Sequence, residues 1–195
     1  MAGINFIIEG VDRLGKDTLI ENLQIKLGPH IVQHYGKPIV ADKFKDHPCP
    51  EQKAQKESFK LGFDLLRTGI PTIMNRFHIG EYIYGPMYRF YNAEYIFELE
   101  DKYFTDTCHN DRTLLVLLTT SNFDFIVDDG ESFDFSKKEQ EQRKFIDAVK
   151  KSNIGHKVIV DVHNGSGGFK TPEKILNEIL EVYNEIRVNY TAYRR

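Results

Sequence analysis

Short apolar runs alternate with longer amphipathic stretches along the chain, and that alternation predicts an α/β sheet. "INFIIEG" reads as a buried strand, followed by a helix from residue 16 to about 27 that ends at Gly28-Pro29. "IVQHYGKP" reads as a second strand, or as a strand running into a loop. From Glu51 to Arg67 the spacing is helical, with Phe59, Phe63, Leu65 and Leu66 toward one side and Gly69 as the stop. "PTIMNRFH" is a third strand, and a tyrosine-rich helical stretch runs from about Gly80 to Phe104. "RTLLVLLTT" is short and continuously apolar, as a strand covered on both faces of a parallel sheet must be. A polar, acidic segment, "SNFDFIVDDGESFDFSKKEQEQR", leads into a helix ending near Lys151. "HKVIVDVHN" is the last strand and "GSGGFKTPE" a Gly-rich loop; a final helix runs from residue 172 to about 188, with Pro172 in its first turn.

Composition narrows this picture to one globular domain. The chain has 195 residues, 41% hydrophobic and 28% charged, enough for one substantial core. A net charge of −3 and a pI near 6.2 argue against a protein that coats nucleic acid. Only Cys49 and Cys108 are present, and no leader or long apolar run is seen, so the expectation is a cytoplasmic protein, off the membrane, with both thiols reduced. Neither these cysteines nor the 7 histidines have the spacing of a transition-metal site.

Chemistry enters at "EGVDRLGKDT", residues 9 to 18, which lies between the first strand and the first helix. In that setting G-x-x-x-x-G-K is a phosphate loop, because the loop amides and the helix N-terminus point at an anion. Gly10 and Gly15 let the backbone approach phosphate oxygens, and Lys16 reaches the transferred group. The next position normally carries a hydroxyl that binds Mg²⁺, and here it is Asp17. A carboxylate is a good oxygen ligand, so Mg²⁺ is expected on Asp17 or on Thr18. The competing reading is a degenerate loop in which Asp17 only caps the helix.

"FIIEGVDRLGK" resembles the first strand and loop of thymidylate kinases, whose phosphate loop carries an Asp-Arg pair ahead of its Gly-Lys. The resemblance implies a P-loop NTPase fold, a five-stranded parallel sheet flanked by helices, with a core over about 1–120 and 153–195 and a lid over about 121–145. It also implies ATP with Mg²⁺ as donor, Asp12 on the sugar of a nucleoside monophosphate, and Arg13 stabilising charge on the transferred phosphoryl. A second likeness lies at the end of the third strand, where the family has Asp-Arg and this chain has Asn75-Arg76. There Arg76 would grip the acceptor phosphate in the bidentate geometry that guanidinium offers. "HIGEYIYGPMYR" looks like the helix start of phage-type members, which makes Arg89 either a second phosphate contact or a solvated surface residue. By analogy Phe59 or Phe63 stacks on the acceptor base, unless both are simply core. The core of the lid, "DDGES", lacks arginine, which aligns the chain with members that carry the catalytic arginine in the phosphate loop. Lys137, Lys138 and Arg143 read mainly as a solvated helix face. The Gly-rich loop after the last strand takes the adenine side. Such kinases are commonly homodimers, and Tyr82, Tyr84, Tyr88 and Tyr91 suit packing or a dimer face.

Phosphoryl transfer asks for alignment, Mg²⁺ and positive charge more than for covalent chemistry, so the acceptor decides the reaction. A hydroxyl acceptor needs a general base, whereas a monophosphate oxygen needs a cationic clamp. Asn75 cannot be a base and Arg76 can clamp, which favours a monophosphate acceptor, and the resemblance to thymidylate kinases implies a nucleoside or deoxynucleoside monophosphate, dTMP or a related pyrimidine deoxynucleotide first. Two alternatives stay open: a deoxynucleoside kinase using Glu9 as base, and an inactive P-loop nucleotide-binding regulator.

Overall fold

Thr113–Thr119 is buried at every position, so neither of its faces meets water and both must be covered by other elements. The computed structural model describes residues 3–105, 107–127, 130 and 134–192, and in it this segment is the fourth of five parallel strands. The strands are β1 (Asn5–Glu9), β2 (Ile31–His34), β3 (Thr72–Asn75), β4 (Thr113–Thr119) and β5 (His156–Asp161), in the order β2-β3-β1-β4-β5. Phe6 is level with Ile73 on one side and Leu114 on the other, which puts β1 at the centre. The chain builds outward from β1 in both directions, and the crevice beyond the carboxyl end of β1 is where such a sheet accepts ligands.

Among the described residues six α-helices flank the sheet: α1 (Lys16–Leu27), α2 (Pro50–Arg67), α3 (His78–Tyr88), α4 (Tyr95–Tyr103), α5 (Lys138–Lys151) and α6 (Pro172–Ala192). Their apolar stripes close over a core that includes Phe6, Phe59, Phe63, Phe77, Leu115 and Phe145. Burying side chains of this size stabilises by about 1.5–3 kcal/mol each. Glu100 of α4 is buried and joins three helices: it accepts from His78 Nε2 at 3.0 Å, Ser152 Oγ at 2.6 Å and the Asn153 N–H at 2.7 Å. Burial raises its pKa, but these partners outweigh that and hold it below the ordinary carboxylate range.

The strands are shorter than the apolar runs suggest, β2 stopping at His34 and β3 at Asn75. The tyrosine-rich stretch is two helices rather than one. Pro86 lies in the last turn of α3, where it cannot donate a backbone hydrogen bond, and Phe90 then adopts φ 58° and turns the chain. The returning Tyr91 ring packs on Gly85, where a Cβ would stand 2.9 Å from its Cε2. Of the expected lid, residues 121–127 form a loop, Phe135–Lys137 a 3₁₀ turn and Lys138 the start of α5. "DDGES" falls outside the described residues except for Gly130. Among the described residues no helix is long and apolar enough to cross a membrane.

Candidate functional site

The loop from Gly10 to Gly15 wraps the space at the carboxyl end of β1 because three of its residues take backbone angles that turn it tightly. Gly10 has φ 138°, and a Cβ there would lie 2.5 Å from the Leu118 carbonyl oxygen. Gly15 caps α1 from the left-handed region at φ 80°, and Arg13 takes φ 72° although it is not glycine. Lys16 is buried, and its Nζ donates to the carbonyls of Gly10 at 2.9 Å and Val11 at 2.6 Å, so the lysine braces the loop it belongs to. Burial, then the charge of Arg76, pushes the Lys16 amine down to about 8, against the pull of Asp12, Glu9 and Asp17.

Asp12 is the anion around which the site's cations gather. Its Oδ1 lies 2.8 Å from Arg76 Nη2, and its Oδ2 is 3.6 Å from Lys138 Nζ. Burial works to raise the Asp12 pKa, but Lys16, Arg76 and Lys138 together hold it below its ordinary value. Arg76 follows β3 directly with φ 59°, and its N–H donates to the Ile8 carbonyl at 2.9 Å, which fixes it against β1. Lys138 opens α5 and is buried, paired also with Glu141 at 3.3 Å, so it is not the solvated residue that its charged neighbourhood suggests.

Two cavities meet at this ion pair. A larger one of about 590 Å³ is lined by the phosphate loop, Asp17, Thr18 and Asn22, and on its far side by Phe169, Lys170 and Pro172. This brings the Gly-rich loop after β5 opposite the phosphate loop, where Phe169 stands edge-on to Phe125, itself stacked on His163 at 5.3 Å. A smaller one of about 70 Å³ is lined by Tyr35, Gln55, Phe77, Glu81, Tyr84 and Arg89, among others. Asp12 and Arg76 line both.

The smaller cavity bears on several readings that the sequence left open. Phe59 and Phe63 line neither cavity: both are fully buried, packed edge-on against Phe77 at 5.4 and 4.9 Å, which makes them core. The aromatic rings that face the space are Tyr35, Phe77 and Tyr84. Arg89 does reach this cavity, and is not solvated: its Nη1 lies 2.5 Å from Glu81 Oε2. Glu81 is a buried hub that also accepts from Tyr91 and, at 3.1 Å, from the Tyr95 hydroxyl. The other tyrosines of this stretch are engaged within the chain, Tyr88 donating to Glu141 at 2.5 Å and Tyr82 standing edge-on to Phe97 at 5.2 Å. Sequence reasoning passed over Glu81 and Tyr35 and took Lys138 mainly for a solvated helix residue. Of the two passed over, only Glu81 left a signal, as a lone carboxylate in the apolar run "HIGEYIY".

Glu9 ends β1 fully buried, with Oε1 accepting the Gly80 N–H at a long 3.4 Å and Oε2 without a partner. It lines neither cavity. Asn75 Nδ2 donates to Asp17 Oδ1 at 2.7 Å and faces His34 Nδ1 at 2.9 Å. Asp17 and Thr18 are exposed on the wall of the larger cavity, and their carboxylate and hydroxyl are the hard oxygen donors that suit Mg²⁺.

No family model matches the chain, and no curated protein matches it. Solved structures do. The YorR protein of Bacillus subtilis, in complex with phosphorylated GDP, is 16% identical with a TM-score of 0.64 over 92% of this chain and 95% of its own. A thymidylate kinase of Ehrlichia chaffeensis is 17% identical with a TM-score of 0.57, over 94% of this chain and 100% of its own. Thymidylate kinase of Candida albicans is 18% identical with a TM-score of 0.52, over 95% of this chain and 93% of its own. The chain therefore has the α/β P-loop fold of thymidylate kinases, along nearly its whole length.

Proposed function

We propose that this protein transfers the γ-phosphoryl of ATP to a deoxynucleoside monophosphate, dTMP or a related pyrimidine nucleotide, giving the diphosphate. The observation that carries this reading is the pair of cavities that share Asp12 and Arg76. One has a phosphate loop for the donor and the other an aromatic-lined recess for an acceptor, so the transferred group would pass across the ion pair between them.

In this reading the loop amides and Lys16 hold the donor phosphates, and Arg13 and Arg76 flank the moving phosphoryl. Arg76 clamps the acceptor phosphate, with Asp12 holding the guanidinium in place and Lys138 adding positive charge at the seam. Asp17 and Thr18 would hold Mg²⁺, which when bound neutralises charge on the donor phosphates. Tyr35, Phe77 and Tyr84 form the walls of the acceptor recess, and Phe169 faces the donor nucleoside. A homodimer and a cytoplasmic setting belong to the same proposal.

A second reading, phosphorylation of a deoxynucleoside with Glu9 as base, draws on one observation: burial raises Glu9 to about 7 and leaves Oε2 unpartnered. Because Glu9 lines neither cavity, the monophosphate reading stands first. ADP release with Mg-ATP, measured against dTMP, dUMP, dCMP, dGMP, GMP and thymidine, separates the two. Turnover on a monophosphate alone supports the first reading, and turnover on thymidine alone transfers the proposal to the second. Nucleotide binding with silence on every acceptor would leave an inactive binder.

A further inference from the structure

Asp17 and Asn75 lie 58 positions apart, and each departs from what its motif expects. The phosphate loop has a carboxylate where a hydroxyl normally stands, and the end of β3 has an amide where the resembling loop partner has a carboxylate. In the fold the two departures touch, through the 2.7 Å hydrogen bond from Asn75 Nδ2 to Asp17 Oδ1. The amide orientation is set by its surroundings: a carboxylate only accepts, so the amine side must face it, and His34 Nδ1 takes the second hydrogen.

That orientation leaves Asn75 Oδ1 buried without a partner in a residue only 3% exposed. A buried amide oxygen with no donor forfeits its hydration, a cost that an apolar residue of similar volume would avoid. What the amide supplies is a neutral donor that fixes one oxygen of Asp17 and leaves the other for the cavity wall. A carboxylate at position 75 would instead face Asp17 with a second negative charge.

We propose that the carboxylate and the hydrogen-bond donor of a cation-binding pair have exchanged places between the phosphate loop and β3. Asp17 is then the charged protein ligand for a divalent cation such as Mg²⁺, and Asn75 is the positioning residue that orients it. Either arrangement carries one negative charge across the two positions. This rests on the phosphotransferase reading above, since the cation arrives with the donor nucleotide.

The test is a cycle of four proteins: wild type, Asn75→Asp, Asp17→Ser, and the double variant that swaps both. ATP affinity is measured by calorimetry with excess Mg²⁺ and with EDTA, and the ratio of the two is the readout. Each single variant is expected to lose about tenfold or more of the Mg²⁺-dependent tightening, Asn75→Asp by removing the donor that orients Asp17 and Asp17→Ser by removing the charged ligand. The double variant is expected to return to within about threefold of wild type, because the charge count and the donor–acceptor pairing are restored. Losses that simply add in the double variant, or single variants indistinguishable from wild type, would overturn the exchange. Asn75→Leu removes the donor without adding charge, so it decides the matter if Asn75→Asp does not fold: a tenfold loss supports Asn75 as the positioning residue and an unchanged ratio overturns it. Wild type that binds no ATP at all would overturn both this proposal and the phosphotransferase reading, whereas tight Mg²⁺-dependent binding with additive losses overturns this one alone.

Discussion

Replacing Glu9 with glutamine should change how stability depends on pH. Glu9 is fully buried at the end of β1, where burial lifts its pKa from 4.5 to about 7 against the Gly80 N–H, the Lys16 charge, the Phe77 N–H and the Arg76 charge. Below its unfolded value the carboxyl is protonated in both states and costs nothing extra. As pH rises from there toward the folded value, the unfolded chain gives up the proton more readily, so the folded state loses stability until the folded carboxyl also ionises. The span from 4.5 to about 7 corresponds to about 3 kcal/mol in all. Of this, about 2 kcal/mol falls between about pH 5 and about pH 7, a window that stays below the titration of Lys16 near 8. Glutamine has nearly the same shape and no charge to lose. Urea unfolding of wild type and Glu9→Gln across this window, compared at each pH, cancels every other titrating group to first order. The difference curve should climb in favour of Glu9→Gln by about 2 kcal/mol. Parallel curves would refute the reasoning and mean that Glu9 keeps its charge comfortably in the fold.

Three further outcomes are expected. Arg13→Ala should lower turnover by roughly 10³ with an unchanged unfolding midpoint, and a variant within about tenfold of wild type would remove Arg13 from the reaction. Gly10→Ala should destabilise by about 2–4 kcal/mol in urea, because the new Cβ meets the Leu118 carbonyl at 2.5 Å on a backbone with φ 138°. A loss under about 1 kcal/mol would mean that the loop relaxes around it. Lys138→Met keeps the length of the side chain and deletes the charge beside Asp12, so kcat should fall by about tenfold or more in the coupled assay while the protein stays folded. Full activity would return Lys138 to a purely structural role.

The strands and the phosphate loop were legible because their signals are local. Continuous apolar runs mark β1 and β4, and Gly10, Gly15 and Lys16 are fixed by spacing within one turn of chain. What stayed open or failed needed distant neighbours. Whether Phe59 meets a ligand or the core depends on Tyr35 and Phe77, which pack against it from the segments after β2 and after β3, and no helical periodicity records that. Lys138 sits among charges that read as a solvated face, and only the return of α5 onto Asp12 buries it. The split of the tyrosine-rich stretch was written in Pro86 and Gly85, yet their effect depends on Tyr91 folding back onto the helix. Asp17 and Asn75 each looked like an isolated irregularity until the sheet brought them together.

Among the described residues, the non-glycine positions with positive φ are Arg13, Arg76 and Phe90, and two of these are arginines, Arg76 within the ion-pair seam and Arg13 on the wall of the larger cavity. Each such backbone state costs an L-residue on the order of 1 kcal/mol, and glycine or asparagine would relieve it. A laboratory selection for heat resistance alone would therefore accept Arg13→Gly and Arg76→Gly early, because both ease the chain while erasing the cations it holds in place. Anyone raising the melting temperature of this protein should freeze those two codons first and look for gains elsewhere, in helix surfaces and exposed loops remote from the seam.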